Sequence, residues 1–187
     1  MKEVDEINMK QWKRKREWAR AYFVLFLASF IFLRLFIFVP ITIQGDSMLP
    51  TLQSGDVTLV NRLAKIQRFD TIVFNDGDSQ PVVKRVIGLP GDRLHYQNDQ
   101  LFINERKINE FYFNTFTQEE ASGLRTSDFS LQEILPEGEV PSNEYFVLGD
   151  NRRFSYDSRF YGTISSEAII GEVQVIFYPF DRFTSDF

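Results

Sequence analysis

The chain has 187 residues, of which 25% are charged and 43% hydrophobic, and its formal net charge is −5 at neutral pH. That length suits one domain with a hydrophobic core, and the composition is that of a folded protein rather than a disordered one. The absence of cysteine excludes disulfides, thiolate zinc sites and a cysteine nucleophile, and the single histidine, His95, excludes a metal site built on several histidines.

The first predicted element is an apolar helix behind a basic segment. Residues 10–20 carry six Lys and Arg against one Glu, a net charge of +5. Residues 21–39, AYFVLFLASFIFLRLFIFV, hold Arg34 as their only charge. A helix of that length spans about 28 Å, close to the ~30 Å of a bilayer core. A buried core helix and a cleaved signal peptide are alternatives, but Pro40 and strand-like residues follow instead of a cleavage site, which favours an uncleaved membrane anchor.

The charge distribution around this segment predicts the topology. A basic flank stays in the cytoplasm. We therefore expect a single-pass protein of the cell membrane in contact with the lipid bilayer, with residues 1–20 cytoplasmic, residues 21–39 in the membrane and residues 40–187 outside the cytoplasm. Arg34 lies close enough to the end of the segment to reach the interface with its charged head.

Residues 40–187 are predicted to form a mainly β domain. Runs rich in Val, Ile, Phe and Tyr, such as DTIVFN, VVKRVIG and GEVQVIFYPF, are separated by turn sequences such as LPGD. This part holds 13 Lys and Arg against 22 Asp and Glu, a net charge of −9, and no basic patch predicts a nucleic-acid partner. Residues 109–142 are polar with weak periodicity and are interpreted as a long excursion inserted into the β domain.

The turn that follows the apolar segment presents one serine. In ITIQGDSMLPTL, residues 41–52, a β-like run ends in Gly, Asp and Ser47 before an apolar run resumes. An ordinary turn between two strands would explain this composition. A nucleophilic role for Ser47 requires a base that can remove its proton.

Lys84 is the residue placed to be that base. His95 lies in DRLHYQND and is interpreted as a surface histidine at the end of a strand. Lys84, in PVVKRVIG, shares one face of its predicted strand with Val82 and Val86. Burial on an apolar face lowers a lysine pKa from its usual ~10.4, and a drop of roughly three units costs about 4 kcal/mol. The alternative is an edge-strand lysine with its stem packed and its amine in water.

A third stretch, LGDNRRFSYDSRFYGT at residues 148–163, is dense in hydrogen-bonding side chains between glycines. Such a loop is costly to bury without partners, so it is interpreted as a support that orients other groups. Together, GDSMLPT, VVKRVIGLPGD and LGDNRRFSYDSRFYG resemble, in this order behind an N-terminal anchor, the motifs of the type I signal peptidases. These are membrane-bound Ser-Lys endopeptidases with an antiparallel, barrel-like β fold, and the resemblance covers in effect the whole chain.

The resemblance implies the reaction and its residues. The protein would remove N-terminal signal peptides from exported precursor proteins without a cofactor, with Ser47 as nucleophile, Lys84 as general base and the backbone N–H of Ser47 as an oxyanion donor. The implied supporting residues are Ser155, which would hydrogen-bond the lysine amine, Asp157 and Arg159, which would brace the site, and Asp150 and Arg85.

The resemblance also implies small pockets for small side chains at the first and third positions before the cut. Some members carry a serine two positions before the nucleophile as a second oxyanion donor; here that residue is Gly45, as in the Gram-positive branch. The expected substrate-binding residues are Ile43, Gly45, Met48, Leu52 and Val83.

Three other readings remain open at this point. Self-cleaving repressors of the SOS type use the same Ser-Lys chemistry, but they carry a DNA-binding domain and no membrane anchor. A non-proteolytic relative could act as a membrane-bound assembly chaperone for pili or surface proteins. An anchored β domain could bind peptides by edge-strand addition, which would not require Lys84 on an apolar face.

Overall fold

The computed structural model describes residues 2–77, 80–115 and 125–185. The chain divides into two compact units, Met1–Phe38 and Val39–Phe187. The first is essentially one helix, α1, at Lys2–Ile37. It contains no Gly or Pro and is rich in Ala, Leu, Lys, Arg and Glu, the residues with the strongest helix propensity.

The segment predicted as a membrane anchor, residues 21–39, is helical as far as Ile37, and its last two residues belong to the first strand. Its described apolar side chains are exposed as far as Phe36; Phe26, for example, is 70% exposed. In the described ranges, no helix reaches the combination of length and hydropathy that a bilayer crossing requires. The anchor is therefore not confirmed.

The second unit is mainly antiparallel β, as the sequence predicts. Among the described residues, one sheet has seven strands in the order β1-β2-β11-β3-β4-β9-β10 and another has four in the order β7-β6-β5-β8. In chain order the strands are β1 (Phe38–Thr42), β2 (Val57–Asn61), β3 (Thr71–Phe74), β4 (Val82–Gly88), β5 (Leu94–Gln97), β6 (Gln100–Ile103), β7 (Arg106–Ile108), β8 (Phe129–Ser130), β9 (Glu144–Leu148), β10 (Ile164–Ser165) and β11 (Ile169–Tyr178).

Strand β4 is buried on both faces and carries the residues that matter most for the site. Lys84 lies opposite Ile72 of β3, and Val83 lies opposite Val73. Val82 and Val86 pack in the same hydrophobic cluster, and Lys84 lies between them in the strand, as the predicted alternation requires. On its own face of β4, Lys84 therefore lies between two apolar side chains.

Residues 109–142 lie between β7 and β9, and the polar excursion predicted for them stays a prediction, because residues 116–124 lie outside the described residues. They contain a 3-10 turn at Phe111–Thr115, strand β8, and the short helix α2 at Leu131–Ile134. Four of their hydrophobic side chains are buried in the cluster beside the small sheet. These side chains are irregularly spaced, so no helix or strand period indicates their burial. They are Tyr112, Phe113, Leu131 and Val140.

Candidate active site

Ser47 lies in a turn within the connection between β1 and β2, and buried apolar residues hold this turn in place. Met48 and Leu52 are 1% and 0% exposed and belong to the same hydrophobic cluster, and the N–H of Leu52 donates to the carbonyl of Met48 at 3.0 Å. Gly45 has φ +79°, a left-handed backbone that glycine adopts without strain. The turn therefore buries its apolar residues and leaves Ser47 half-buried at the surface.

The structure brings Lys84 directly onto this serine. Lys84 Nζ donates a hydrogen bond to Ser47 Oγ at 2.7 Å, and Lys84 is only 3% exposed. Burial lowers the pKa of Lys84 from 10.5 to about 8, against the nearby carboxylates of Asp157, Asp76 and Asp150, which favour the charged form. A lysine with this pKa is neutral in a substantial fraction of molecules at mildly alkaline pH, and a neutral amine can accept a proton.

His95 takes no part in this arrangement. It lies in β5 of the four-stranded sheet, where its ring stacks on Phe102 with the two ring centroids 4.8 Å apart. The sequence-based choice of Lys84 rather than His95 as the partner of Ser47 therefore agrees with the geometry.

The ion pair of Asp150 and Arg85 ties β4 to the loop after β9. Arg85 Nε and Nη2 donate to the two carboxylate oxygens of Asp150 at 2.8 and 2.6 Å, and both side chains are fully buried. Thr51 Oγ1, from the turn of Ser47, donates to the same carboxylate. Two residues that the sequence marks as supports thus fix the strand of Lys84 and the turn of Ser47 to one loop.

Asp157 and Arg159 brace the same loop further on. The carboxylate of Asp157 caps the short helix α3 at Ser158–Tyr161, accepts from the N–H of Gly149 at 3.1 Å and pairs with Arg159 Nε at 2.8 Å. Arg159 Nη2 also donates to the carbonyl of Arg152 at 2.7 Å. Asp157 is fully buried, so its charge acts on Lys84 with little screening by water.

Ser155 does not make the hydrogen bond that the resemblance implies. Its Oγ is buried, and the part of the chain that the structure describes offers that atom no hydrogen-bond partner. Lys84 Nζ is directed at Ser47 instead. Ser155 and the carbonyl of Ser47 both lie close to Gly149. A Cβ on Gly149 would collide with Ser155 Oγ and with that carbonyl.

Asn151 and Arg152 also hold the loop after β9 in place. In the sequence they are distinguished only by lying in a stretch that is dense in hydrogen-bonding side chains. The backbone N–H of Asn151 donates to the carbonyl of Ser47 at 3.0 Å, and its side-chain amide donates to the carbonyl of Asp46 at 3.0 Å. Arg152 is 3% exposed and donates to the carbonyl of Gly149 at 3.0 Å. These bonds hold the loop against the backbone of the serine turn.

The guanidinium of Arg152 lies in a buried network of aromatic and acidic groups. It donates to the hydroxyls of Tyr96 and Tyr112 at 2.9 and 2.7 Å, and it pairs with Glu110. Burial raises the pKa of both tyrosines well above the usual value, so they stay neutral donors and acceptors. Two distant segments thereby anchor the loop, and neither of them is close to it in sequence.

An open cleft of about 410 Å³ runs beside Ser47 and Lys84. Four of the five residues predicted to bind substrate line it: Ile43, Gly45, Met48 and Val83. Leu52 is the exception, because it is fully buried in the cluster behind Met48 rather than at the cleft surface. In the described ranges, no group of three or more acidic or histidine side chains is arranged to hold a metal ion.

A serine hydroxyl bonded by a buried lysine is one of the arrangements found in serine hydrolases, and similarity to known proteins gives the family. Residues 15–178 match the family described as signal peptidase, peptidase S26. The chain is 42% identical to the Signal peptidase I of Bacillus caldolyticus over 179 residues, which cover 94% of this chain and 97% of the relative. It is 37% identical to the Signal peptidase IB of Staphylococcus aureus over 183 residues, 94% of this chain and 95% of that one.

A solved structure agrees with both. The crystal structure of a signal peptidase I from Enterococcus faecalis matches with a TM-score of 0.50 and 37% identity, covering 58% of this chain and 97% of that one. The chain therefore belongs to the signal peptidase family, peptidase S26, and is a serine endopeptidase of the signal peptidase I type. The non-proteolytic assembly chaperone is not favoured.

Proposed function

We propose that Ser47 and Lys84 form the catalytic dyad with which this endopeptidase removes signal peptides from exported precursor proteins. The observation that carries the proposal is the 2.7 Å contact between Lys84 Nζ and Ser47 Oγ, made by a lysine that is 3% exposed. An exposed lysine would hold its proton at neutral pH and could not act as a base. The buried position of Lys84 supports the neutral form.

The chemistry follows from that contact. Neutral Lys84 accepts the Ser47 proton while Oγ attacks the carbonyl carbon of the scissile bond, and the resulting ammonium then protonates the leaving amine. The acyl-enzyme is hydrolysed by a water that Lys84 deprotonates in the same way. The backbone N–H of Ser47 is the proposed donor to the oxyanion, where developing charge is stabilised most effectively by fixed dipoles.

The substrate is proposed to bind as an extended strand along β4. One edge of Val82–Lys84 pairs with β3, whereas β9 pairs with β4 only from Arg85 onward, opposite Leu148. A peptide in the cleft would therefore pair with the remaining edge of Val82–Lys84, in a cleft that Gly45 also lines. Ile43, Met48 and Val83 are buried there and limit the space for side chains, which supports small residues before the cut.

The membrane topology is part of the proposal. The exposed apolar side chains of α1 and the +5 segment before them support an anchor within residues 21–39 that leaves the N-terminus in the cytoplasm and the catalytic unit outside. Protease added to intact protoplasts should then digest the β domain. Protection of that domain until the membrane is permeabilised would reverse the topology.

The test of the reaction is cleavage of a purified secretory precursor by the full chain in detergent. Ser47→Ala and Lys84→Ala should each abolish cleavage, whereas Ser54→Ala and Lys65→Ala, at exposed positions, should leave it unchanged. A precursor with Phe in place of the small residue immediately before the cut should resist the parent enzyme. Retention of activity by Ser47→Ala would overturn the proposal.

A further inference from the structure

Two large aromatic side chains stand exposed beside the cleft. Phe154 is 80% and Tyr156 is 68% exposed, and both line the cleft that holds Ser47 and Lys84. We call this pair the aromatic ledge. Exposed aromatic rings contribute little to folding, but next to a binding cleft they offer a large contact area with few torsions to fix.

The ledge is held in place by its own loop. The N–H of Phe154 donates to the carbonyl of Asn151 at 3.0 Å. Tyr156 stacks on Phe160, with the two ring planes 18° apart and their centroids separated by 5.3 Å, and it meets Tyr161 edge-on at 5.5 Å. The residue between the two ledge positions, Ser155, is buried. The rings are therefore preorganised by the loop that also braces the site.

The path of a bound peptide leads to this ledge. Residues before the cut are assigned to the edge of Val82–Lys84, so the bond to be cut lies at the Lys84 end of that edge. From Arg85 onward β9 occupies the edge, and the loop after β9 reaches Ser47 through the N–H of Asn151. A peptide cannot continue as a strand beyond that point. The substrate residues that follow the cut must therefore turn out of the cleft. As they do so, they meet the exposed part of the loop after β9, which is the aromatic ledge.

A second cavity gives room for a side chain there. It has a volume of about 400 Å³ and shares Asp76, Tyr156 and Tyr161 with the cleft as a common wall. Its far side is formed by Thr163 and Ile164, among others. A large side chain that leaves the cleft at Tyr156 can therefore lie against the ring and reach into this cavity, whereas the pockets before the cut admit only small ones.

We propose that Phe154 and Tyr156 form the subsite for the first residues of the mature chain, just after the cut, and that this subsite favours large neutral side chains. The inference rests on the proposed signal peptide cleavage and extends it to the other side of the scissile bond. Burial of a substrate side chain against Tyr156 is worth about a tenfold gain in kcat/KM, since about half of one ring is covered. Asp76 on the shared wall disfavours an acidic side chain at the same place.

The test uses the full chain in detergent and internally quenched peptides that share one signal sequence. The peptides carry Trp, Leu, Glu or Gly in turn at each of the first three positions after the cut. The parent should cleave the best Trp peptide about tenfold more efficiently than its Gly counterpart. Tyr156→Ala should remove that preference, with a loss of kcat/KM about tenfold larger on the Trp peptide than on the Gly peptide, and Tyr156→Phe should retain it. Phe180→Ala, at a ring that is 79% exposed and lines neither cavity, is the matched control.

Other outcomes have separate meanings. An equal loss on the Trp and Gly peptides in Tyr156→Ala would make Tyr156 a structural residue and overturn the subsite. An unchanged Trp preference would do the same. The same peptides are also cleaved by the enzyme in phosphatidylglycerol-containing vesicles. If Tyr156→Ala lowers cleavage of all peptides equally there and has no effect in detergent, the ledge contacts lipid rather than peptide, and the subsite is overturned. Ser47→Ala decides the dyad independently, so a failed subsite and a failed dyad are told apart.

Discussion

Lys84 Nζ and Ser47 Oγ are 2.7 Å apart although the two residues are separated by 37 positions and lie on different elements. The contact depends on the loop after β9, because that loop holds both sides. It bonds the backbone of the serine turn through Asn151 and the strand of Lys84 through the pair of Asp150 and Arg85. Misplacement of this loop would separate the dyad without touching either member.

The first prediction concerns the pH dependence of cleavage. The pKa of Lys84 is lowered by burial to about 8, so the lysine is charged and inactive as a base below that value. The cleavage rate should rise about tenfold per pH unit well below the pKa and level off above it. The measurement is kcat/KM for one precursor across neutral and alkaline pH.

Two variants control this profile. Lys84→Arg keeps a positive charge but cannot give up a proton at any accessible pH, so it should be inactive throughout. His95→Gln should give the parent profile, because His95 lies in the other sheet. A rate that falls with rising pH, or a profile shifted by His95→Gln, would contradict the role of Lys84.

The second prediction links the same pKa to stability. Because the folded pKa of Lys84 lies below the unfolded one, the unfolded chain binds the proton more tightly, and stability should rise with pH between about 8 and 10.5. Below that window, the lowered pKa of Lys84 reduces the free energy of unfolding by roughly 3 kcal/mol, at ~1.36 kcal/mol per pKa unit. Loss of the hydrogen bond to Ser47 in Lys84→Met offsets about 1 kcal/mol of the gain.

The measurement is the urea midpoint of parent and Lys84→Met over that pH range. The variant should be inactive and more stable than the parent at neutral pH, and the difference should shrink as the pH rises. Lys65→Met, at an exposed position, should show no such pH-dependent difference. A Met variant much less stable than the parent at neutral pH would make Lys84 a charged structural partner.

The position of the dyad is the part of the site that local sequence patterns predict. Strand alternation in VVKRVIG places Lys84 on an apolar face, and the composition of the turn isolates Ser47. The supports in the loop after β9 are also recognisable, since Asp150, Asp157 and Arg159 are polar groups too dense to be left without partners. These inferences need only neighbouring residues.

What the pattern misses depends on packing between distant segments. Arg152 is held by Tyr96, Tyr112 and Glu110, which come from two other segments. Nothing in the irregular spacing of residues 109–142 indicates that part of them enters the core. Leu52 has the right character for a pocket wall but is packed one layer behind it, and such a difference in depth has no signature in sequence.

The third prediction concerns the buried pair of Asp150 and Arg85. Asp150→Asn leaves the fully buried guanidinium of Arg85 without its counter-charge, which typically costs 3–5 kcal/mol. The urea midpoint should fall accordingly, and cleavage should be lost because Thr51 also bonds this carboxylate. Glu139→Gln is the matched control, since the pair of Arg93 and Glu139 is exposed and is worth at most about 1 kcal/mol. Equal effects of the two substitutions would mean that the buried pair does not hold the site.

The fourth prediction concerns Gly149, where the loop passes closest to Ser47. A methyl group there would collide with the carbonyl oxygen of Ser47 and with Ser155 Oγ, so Gly149→Ala should displace the serine turn. A displacement of about 1 Å costs on the order of 100-fold in rate, and the loss should appear in kcat for the folded enzyme.

Gly88→Ala is the matched control, because it also introduces a steric clash but does so away from Ser47 and Lys84. A Cβ at Gly88 would lie 2.7 Å from Leu94 and 2.9 Å from Phe146, so that variant should lose stability but retain its rate per folded molecule. Adding Ser155→Gly to Gly149→Ala removes the clash with the serine side chain and leaves the clash with the Ser47 carbonyl. The double variant should therefore stay slow. Recovery of the parent rate would show that Gly149 makes room for Ser155 and not for the backbone of the nucleophile.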